Sequence, residues 1–193
     1  MPYQHGMRVA IDAAQFRAVR PTRSGHDVRM KRVSHTLTYP GTTVDAVYAM
    51  LADQAFRKAV ADYQRVTDFS CDIIPAGSGM KVRLEQAHGT DRIPSFAQRL
   101  VGSEIRFVQD ESWSSPSGAD INVTIPGKPG EMTGSTSLTQ SADDVVRQIE
   151  LRVKVSIPLV GGKREDLVAG FATLAFDAEN KVGVKWLRGE WRV

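Results

Sequence analysis

Hydrophobic and polar positions alternate along Lys31–Tyr39: Val33, His35, Leu37 and Tyr39 fall on one face, Arg32, Ser34, Thr36 and Thr38 on the other. A period of two marks a strand with one wet face. Pro40-Gly41 stops it, and Thr42 or Thr43 can cap a helix through its hydroxyl. Val44, Val47, Tyr48 and Leu51 then recur at helical spacing, with Asp45 in the first turn where a negative charge suits the dipole. A second short helix, about Gln54 to Asp62, repeats the pattern with Phe56, Val60 and Tyr63.

Strands return at Val66–Ile74, where Phe69, Cys71 and Ile73 oppose Asp68, Ser70 and Asp72. After the turn Pro75–Gly79, the segment Met80–Gln86 sets Met80, Val82 and Leu84 against Lys81, Arg83 and Glu85, which reads as the second arm of a hairpin. Between His88 and Gly102, Ile93, Phe96, Ala97, Leu100 and Val101 predict a short amphipathic helix on one rim. Four more strands follow, about Ile105–Trp113, Ala119–Ile125, Met132–Gln140 and Val145–Ile157, joined by turns rich in Gly, Pro, Asp and Ser. On the last, Ile149, Leu151, Val153, Val155 and Ile157 make a dry face, as in an antiparallel sheet covered on one side.

A long helix from Lys163 to about Trp191 closes the chain, with Leu167, Phe171, Leu174, Ala178, Val182 and Trp186 as its apolar stripe. About 28 residues at 1.5 Å per residue reach about 42 Å, enough to cross a whole sheet. The order is strand, two helices, six strands, long helix. It predicts an α+β fold: a curved, seven-stranded antiparallel sheet wrapped round the last helix. Without alternating strand and helix, a parallel nucleotide-binding sheet is not expected.

Several segments carry a resemblance: Ser34-His-Thr-Leu-Thr-Tyr-Pro40, Met50-Leu-Ala-Asp53 with Phe56-Arg57, Ile125-Pro-Gly-Lys-Pro-Gly130 with Thr133-Gly134, and Ile157-Pro-Leu-Val-Gly-Gly-Lys163. Together they resemble the helix-grip fold of the START-like (Bet v 1-like, SRPBCC) superfamily, in a bacterial branch of unknown function. The resemblance covers about Met30 to Trp191. It implies a cavity for lipids, sterols, polyketides or similar apolar molecules. Some relatives are cyclases or aromatases and others only carry or sense a ligand. It supplies no motif whose functional residues carry over.

Composition changes this picture little. A chain of 193 residues with 41% apolar and 24% charged residues suits one soluble domain. The net charge of +3 lies in residues 1–29, which hold Arg8, Arg17, Arg20, Arg23 and Arg29 against Asp12 and Asp27. Without those seven, the 25 basic and 22 acidic residues become 20 and 20. Residues 1–29 are therefore expected to be a disordered basic arm, with the ligand-binding domain at 30–193, and nucleic acid is not an expected partner. Met1-Pro-Tyr-Gln-His lacks the pattern of a secretory signal, no apolar run is long enough to span a bilayer, and the single cysteine allows no internal disulfide. A cytoplasmic protein is expected, with room for transient membrane contact.

Candidate chemistry is sparse. Pro126–Gly130 lacks the spacing and following helix of a phosphate loop, and Gly161-Gly162-Lys163 reads as a strand-to-helix joint whose amides could hold an anion. His5, His26, His35 and His88 form no ligand pair, so neither metal nor cofactor is expected. Cys71 reads as a small buried hydrophobe, and His35 as either a hydrogen-bonded core residue or the best base candidate.

Polar residues on apolar faces say more. Gln109, Glu111 and Trp113 interrupt the face of Ile105 and Phe107, and Arg147 does so on the last strand. A Glu111–Arg147 pair in the cavity, orienting a ligand head group, competes with both reaching solvent near the sheet ends. Expected cavity walls are Phe69, Leu84, Phe107, Trp113 and Val123, together with Leu151 and Val153 of the last strand and Phe171 and Leu174 of the last helix. The primary expectation is a binder or carrier of a small hydrophobic molecule. Its rivals are a cyclase-type enzyme using His35, Glu111 or Arg147, and an interaction module whose hollow is plugged by its own bulky side chains.

Overall fold

The computed structural model of the chain describes residues 31–90, 98, 102–128, 130–155 and 163–191. Strand β1 (Lys31–Tyr39) leads into helices α1 (Val44–Leu51) and α2 (Gln54–Gln64). Six strands follow, β2 (Asp68–Ala76), β3 (Gly79–Gly89), β4 (Glu104–Ser115), β5 (Gly118–Thr124), β6 (Gly130–Ser141) and β7 (Asp144–Val155), and then helix α3 (Lys163–Leu187). The order across the antiparallel sheet is β1-β7-β6-β5-β4-β3-β2. The expected seven-stranded, helix-grip α+β architecture is the one observed.

Local chemistry sets the element ends. The Thr43 hydroxyl accepts from the Ala46 amide at 3.3 Å, and the Asp53 carboxylate accepts from the Ala55 amide at 2.7 Å, so each short helix starts on a side-chain cap. Arg65 ends α2 in the left-handed conformation at φ 58°. Five hairpins build β2 to β7, and β1 then pairs with β7 from Lys31↔Val153 to Tyr39↔Val145. At Gly134 a Cβ would lie 1.8 Å from the Glu150 carbonyl oxygen. Only glycine lets β6 and β7 approach that closely.

One face of the sheet carries the helices. Paired residues share a face, so the register lays this inner face out in rows. One runs His35, Ile149, Thr136, Ala119, Trp113, Met80. The next runs Val33, Leu151, Gly134, Ile121, Glu111, Val82, Ile73. Tyr39, Val47, Leu51, Phe56, Val145 and Val182 are fully buried where α1, α2 and the C-terminal part of α3 meet the sheet.

Helix α3 turns the end of the predicted stripe inward, with Val182 buried and Trp186 against the core, but not Phe171 and Leu174. Its buried residues are Ala169, Ala172, Glu179, Val182 and Gly183, with Phe176 half-buried. Phe171 and Leu174 are 36% and 64% exposed and so do not pack as walls. The reason is contact with β1: His35 and Thr38 bond to Asp177 and Asn180 of α3. Alanines allow close approach along that line, and a stripe chosen by bulk alone falls one to two residues off it. No helix among the described residues is long and apolar enough to cross a membrane. The arm at 1–29, the rim-helix residues Ile93, Phe96, Ala97, Leu100 and Val101, and Gly161-Gly162 lie outside the described residues.

Candidate functional site

Glu111 and Arg147, the two charges that interrupt apolar strands, are each 1% exposed. Neither reaches solvent, and neither pairs directly with the other. On β4, Glu111 is gripped by Arg57 of α2, with Nη1 to Oε1 at 3.1 Å and Nη2 to Oε2 at 2.9 Å. Arg147 on β7 donates from Nη1 to Glu179 of α3 and from Nε to the Thr136 hydroxyl at 2.9 Å. Arg57 Nη1 lies 3.7 Å from Glu179 Oε2, so the four charges run Glu111, Arg57, Glu179, Arg147 in alternating sign.

Further hydrogen bonds join this network. Gln109 Nε2 donates to Glu111 Oε1 at 2.8 Å, and Trp113 Nε1 to Oε2 at 2.7 Å. Arg57 Nε donates to the Leu51 carbonyl at 2.8 Å. The Tyr39 hydroxyl donates to Glu179 Oε1 at 3.4 Å. Burying ions costs several kcal/mol each unless they are paired and hydrogen-bonded, and here both conditions hold. Burial alone would raise the Glu111 pKa. Arg57 and Arg147, with hydrogen bonds from Trp113 and Arg57, outweigh it and hold the carboxyl below its ordinary range. Burial would lower Arg147, but Glu179, Tyr39 and Glu111 hold it above its ordinary value.

Such a carboxylate has four donors on it and no proton to give. Glu111 and Arg147 are thus each held charged by an oppositely charged partner from a helix. The network also staples α2 and α3 to the sheet, since each helix supplies the partner of one sheet charge. Sequence reasoning missed both helix partners. Arg57 sits beside Phe56 on the buried side of α2, and Glu179 lies three residues before Val182 and seven before Trp186, at inward spacing. A charge at an inward position of each helix was the available signal.

Beyond the network the inner face is apolar and less closed. Leu84, Val123 and Val153 are buried there. Leu151 lies in the row of Glu111 itself, and Trp113 lies on the other side of it, edge-on to Tyr48 with centroids 5.5 Å apart. Phe69, Cys71, Ile73 and Phe107 are only half-buried. Phe171 and Leu174 do not join this group. Burial pushes the Cys71 thiol up to about 11, with Arg57 opposing and Glu111 adding to it. His88 stands edge-on to Phe107 with centroids 5.6 Å apart, and burial lowers its pKa.

The base candidate His35 lies apart from these groups. Its Nε2 is 2.8 Å from Asp177 Oδ1, and its ring stacks on Phe176 with centroids 6.0 Å apart. Among the described residues, no group of three or more His, Cys, Asp and Glu is placed to hold a metal ion.

Comparison with known proteins agrees with the fold. The sequence model of the family described as "Protein of unknown function (DUF2505)" matches residues 34–187. Among solved structures, a protein from Thermus thermophilus is similar at TM-score 0.57 and 14% identity, over 84% of this chain and 100% of that one. A START superfamily protein from Mycobacterium smegmatis is similar at TM-score 0.53 and 13% identity, over 82% and 97%. Truncated norcoclaurine synthase from Thalictrum flavum is similar at TM-score 0.55 and 11% identity, over 86% and 98%. At such identities the likeness is one of fold, the START-like helix grip. No curated protein matches the chain.

Proposed function

Since the chain belongs to the DUF2505 family, whose function is unknown, we propose from its own geometry that it binds or carries a small hydrophobic molecule on the inner face of the sheet. The site is the apolar region beyond the charge network, with Phe69, Leu84, Phe107 and Val123 as its walls and Glu111 and Gln109 at its floor. The observation that carries the reading is an asymmetry of that face. Where α1, α2 and the end of α3 pack, Tyr39, Leu51, Phe56 and Val182 are closed off completely. Towards β2 and the start of β4, Phe69, Cys71, Ile73 and Phe107 turn apolar surface inward and stay only half-covered. A concave apolar surface with a few fixed polar groups is the usual form of a small-molecule site.

The START-like fold supports the same class of ligand. The domain would comprise residues 30–193, with residues 1–29 as an appended arm. The experiment is a titration with the neutral, polarity-sensitive dye Nile red, against wild type and Leu84→Trp. Saturable, blue-shifted binding to wild type that is strongly weakened in a folded Leu84→Trp supports the proposal. Absence of saturable binding to wild type would count against it.

A further inference from the structure

Gln109 is a polar side chain in an apolar row, between Leu84 on β3 and Val123 on β5. Its Nε2 donates to Glu111 Oε1 at 2.8 Å. An ionised carboxylate only accepts, so the nitrogen end of the amide has to face Glu111. That settles which end of the amide holds Glu111 and leaves Oε1 as the end not bonded to it, in a row whose neighbours Leu84, Cys71 and Val123 are apolar. Among the described residues, no donor is hydrogen-bonded to this oxygen. The backbone of β4 is fully paired at this point, so the acceptor is held on a rigid strand.

The charge around it is balanced. Arg57 and Arg147 are committed to Glu111 and Glu179. His88, further along the same face of β3, is bonded to Gln86 at 3.3 Å, and burial lowers its pKa and so disfavours a positive charge there. An anionic ligand would have to lie near Glu111 without drawing either arginine from its carboxylate. A neutral ligand avoids that cost, and one with a donor satisfies an acceptor that an apolar ligand would leave dry.

We propose that the hydrophobic ligand, whose binding this inference presupposes, is a neutral alcohol or phenol whose O–H donates to Gln109 Oε1. Gln109 then acts as a specificity-determining residue, and Glu111 as the residue that positions it.

The test is calorimetric titration of the full chain with 2-naphthol, its methyl ether 2-methoxynaphthalene, and 2-naphthoate, for wild type and Gln109→Met. Wild type should bind 2-naphthol about fivefold or more tighter than the ether, the scale of one neutral hydrogen bond, and the naphthoate most weakly. Gln109→Met should keep the affinity for the ether and lose the preference for the phenol. Equal affinity of wild type for phenol and ether, or a preference that survives Gln109→Met, overturns the inference while hydrophobic binding stands. Failure of all three compounds and of Nile red to bind overturns the proposed function, and this inference with it. Should Gln109→Met not fold, the wild-type comparison of phenol with ether decides alone.

Discussion

Arg57 on α2 and Glu111 on β4 meet as a two-bond fork, at 3.1 and 2.9 Å, with both side chains shut away from solvent. This pairing fixes α2 on the sheet and leaves the floor of the proposed site without net charge. Removing one partner strands the other as a buried ion. Glu111→Leu or Arg57→Met alone should each cost about 3–5 kcal/mol of stability. The double variant should lose clearly less than the two costs added, because neither ion is then left alone. Urea unfolding of the four proteins measures this coupling, and strict additivity would contradict it.

Acid should expose the same pair. The Glu111 carboxyl has a lower pKa in the folded chain than its ordinary value. Its contribution to stability is therefore complete above the ordinary glutamate range and is lost as pH falls through the depressed folded value. Stability measured in urea from pH 7 down to pH 3 should decline on this limb. In the Arg57→Met, Glu111→Leu double variant the decline should be shallower, and an unchanged acid limb would refute the assignment.

Two glycines of α3 should respond in opposite directions to alanine. A Cβ at Gly183 would meet Tyr39 Cε1 at 2.8 Å and Met50 Cε at 3.2 Å, in a fully buried corner. At Gly170 it would meet nothing within 4 Å. Gly170→Ala should stabilise by about 0.5–1 kcal/mol through helix propensity. Gly183→Ala should destabilise, since the Tyr39 ring has nowhere to move. Thermal unfolding compares the two, and a stabilising Gly183→Ala would show that α3 sits less tightly on β1.

Cys71 is a built-in reporter on the inner face. It is half-buried, and its thiol is pushed up to about 11 by burial. At pH 8 it should react with a disulfide reagent at least about tenfold more slowly than free cysteine. Saturating Nile red should slow it further if the dye lies over Cys71, Leu84 and Gln109. An unaffected rate, with dye demonstrably bound, would place the dye elsewhere.

The strands were legible because a half-buried strand writes its burial into alternate residues. Glu111 and Arg147 stood out for the same reason, as charges at inward positions of β4 and β7. Their pairings did not stand out. Arg57 is 54 residues from Glu111, and Glu179 is 32 from Arg147. An inward charge on each helix was visible, but which sheet charge it meets follows from how α2 and α3 lie on the sheet. The inward face of α3 is hidden from the sequence in the same way. Hydrophobicity favours Phe171 and Leu174, whereas closeness to β1 selects Ala169, Ala172 and Glu179. Helix phase is decided by the partner surface when bulky and small residues both offer a stripe.

Native mass spectrometry of the protein as purified, before and after extraction with organic solvent, tests the proposed function most directly. The prediction is a discrete mass excess of a few hundred daltons, about the size of a small lipid-like molecule, that extraction removes and a neutral apolar alcohol restores. A bare-chain mass throughout, together with no uptake of the alcohol, would contradict it and leave a packed domain with no ligand.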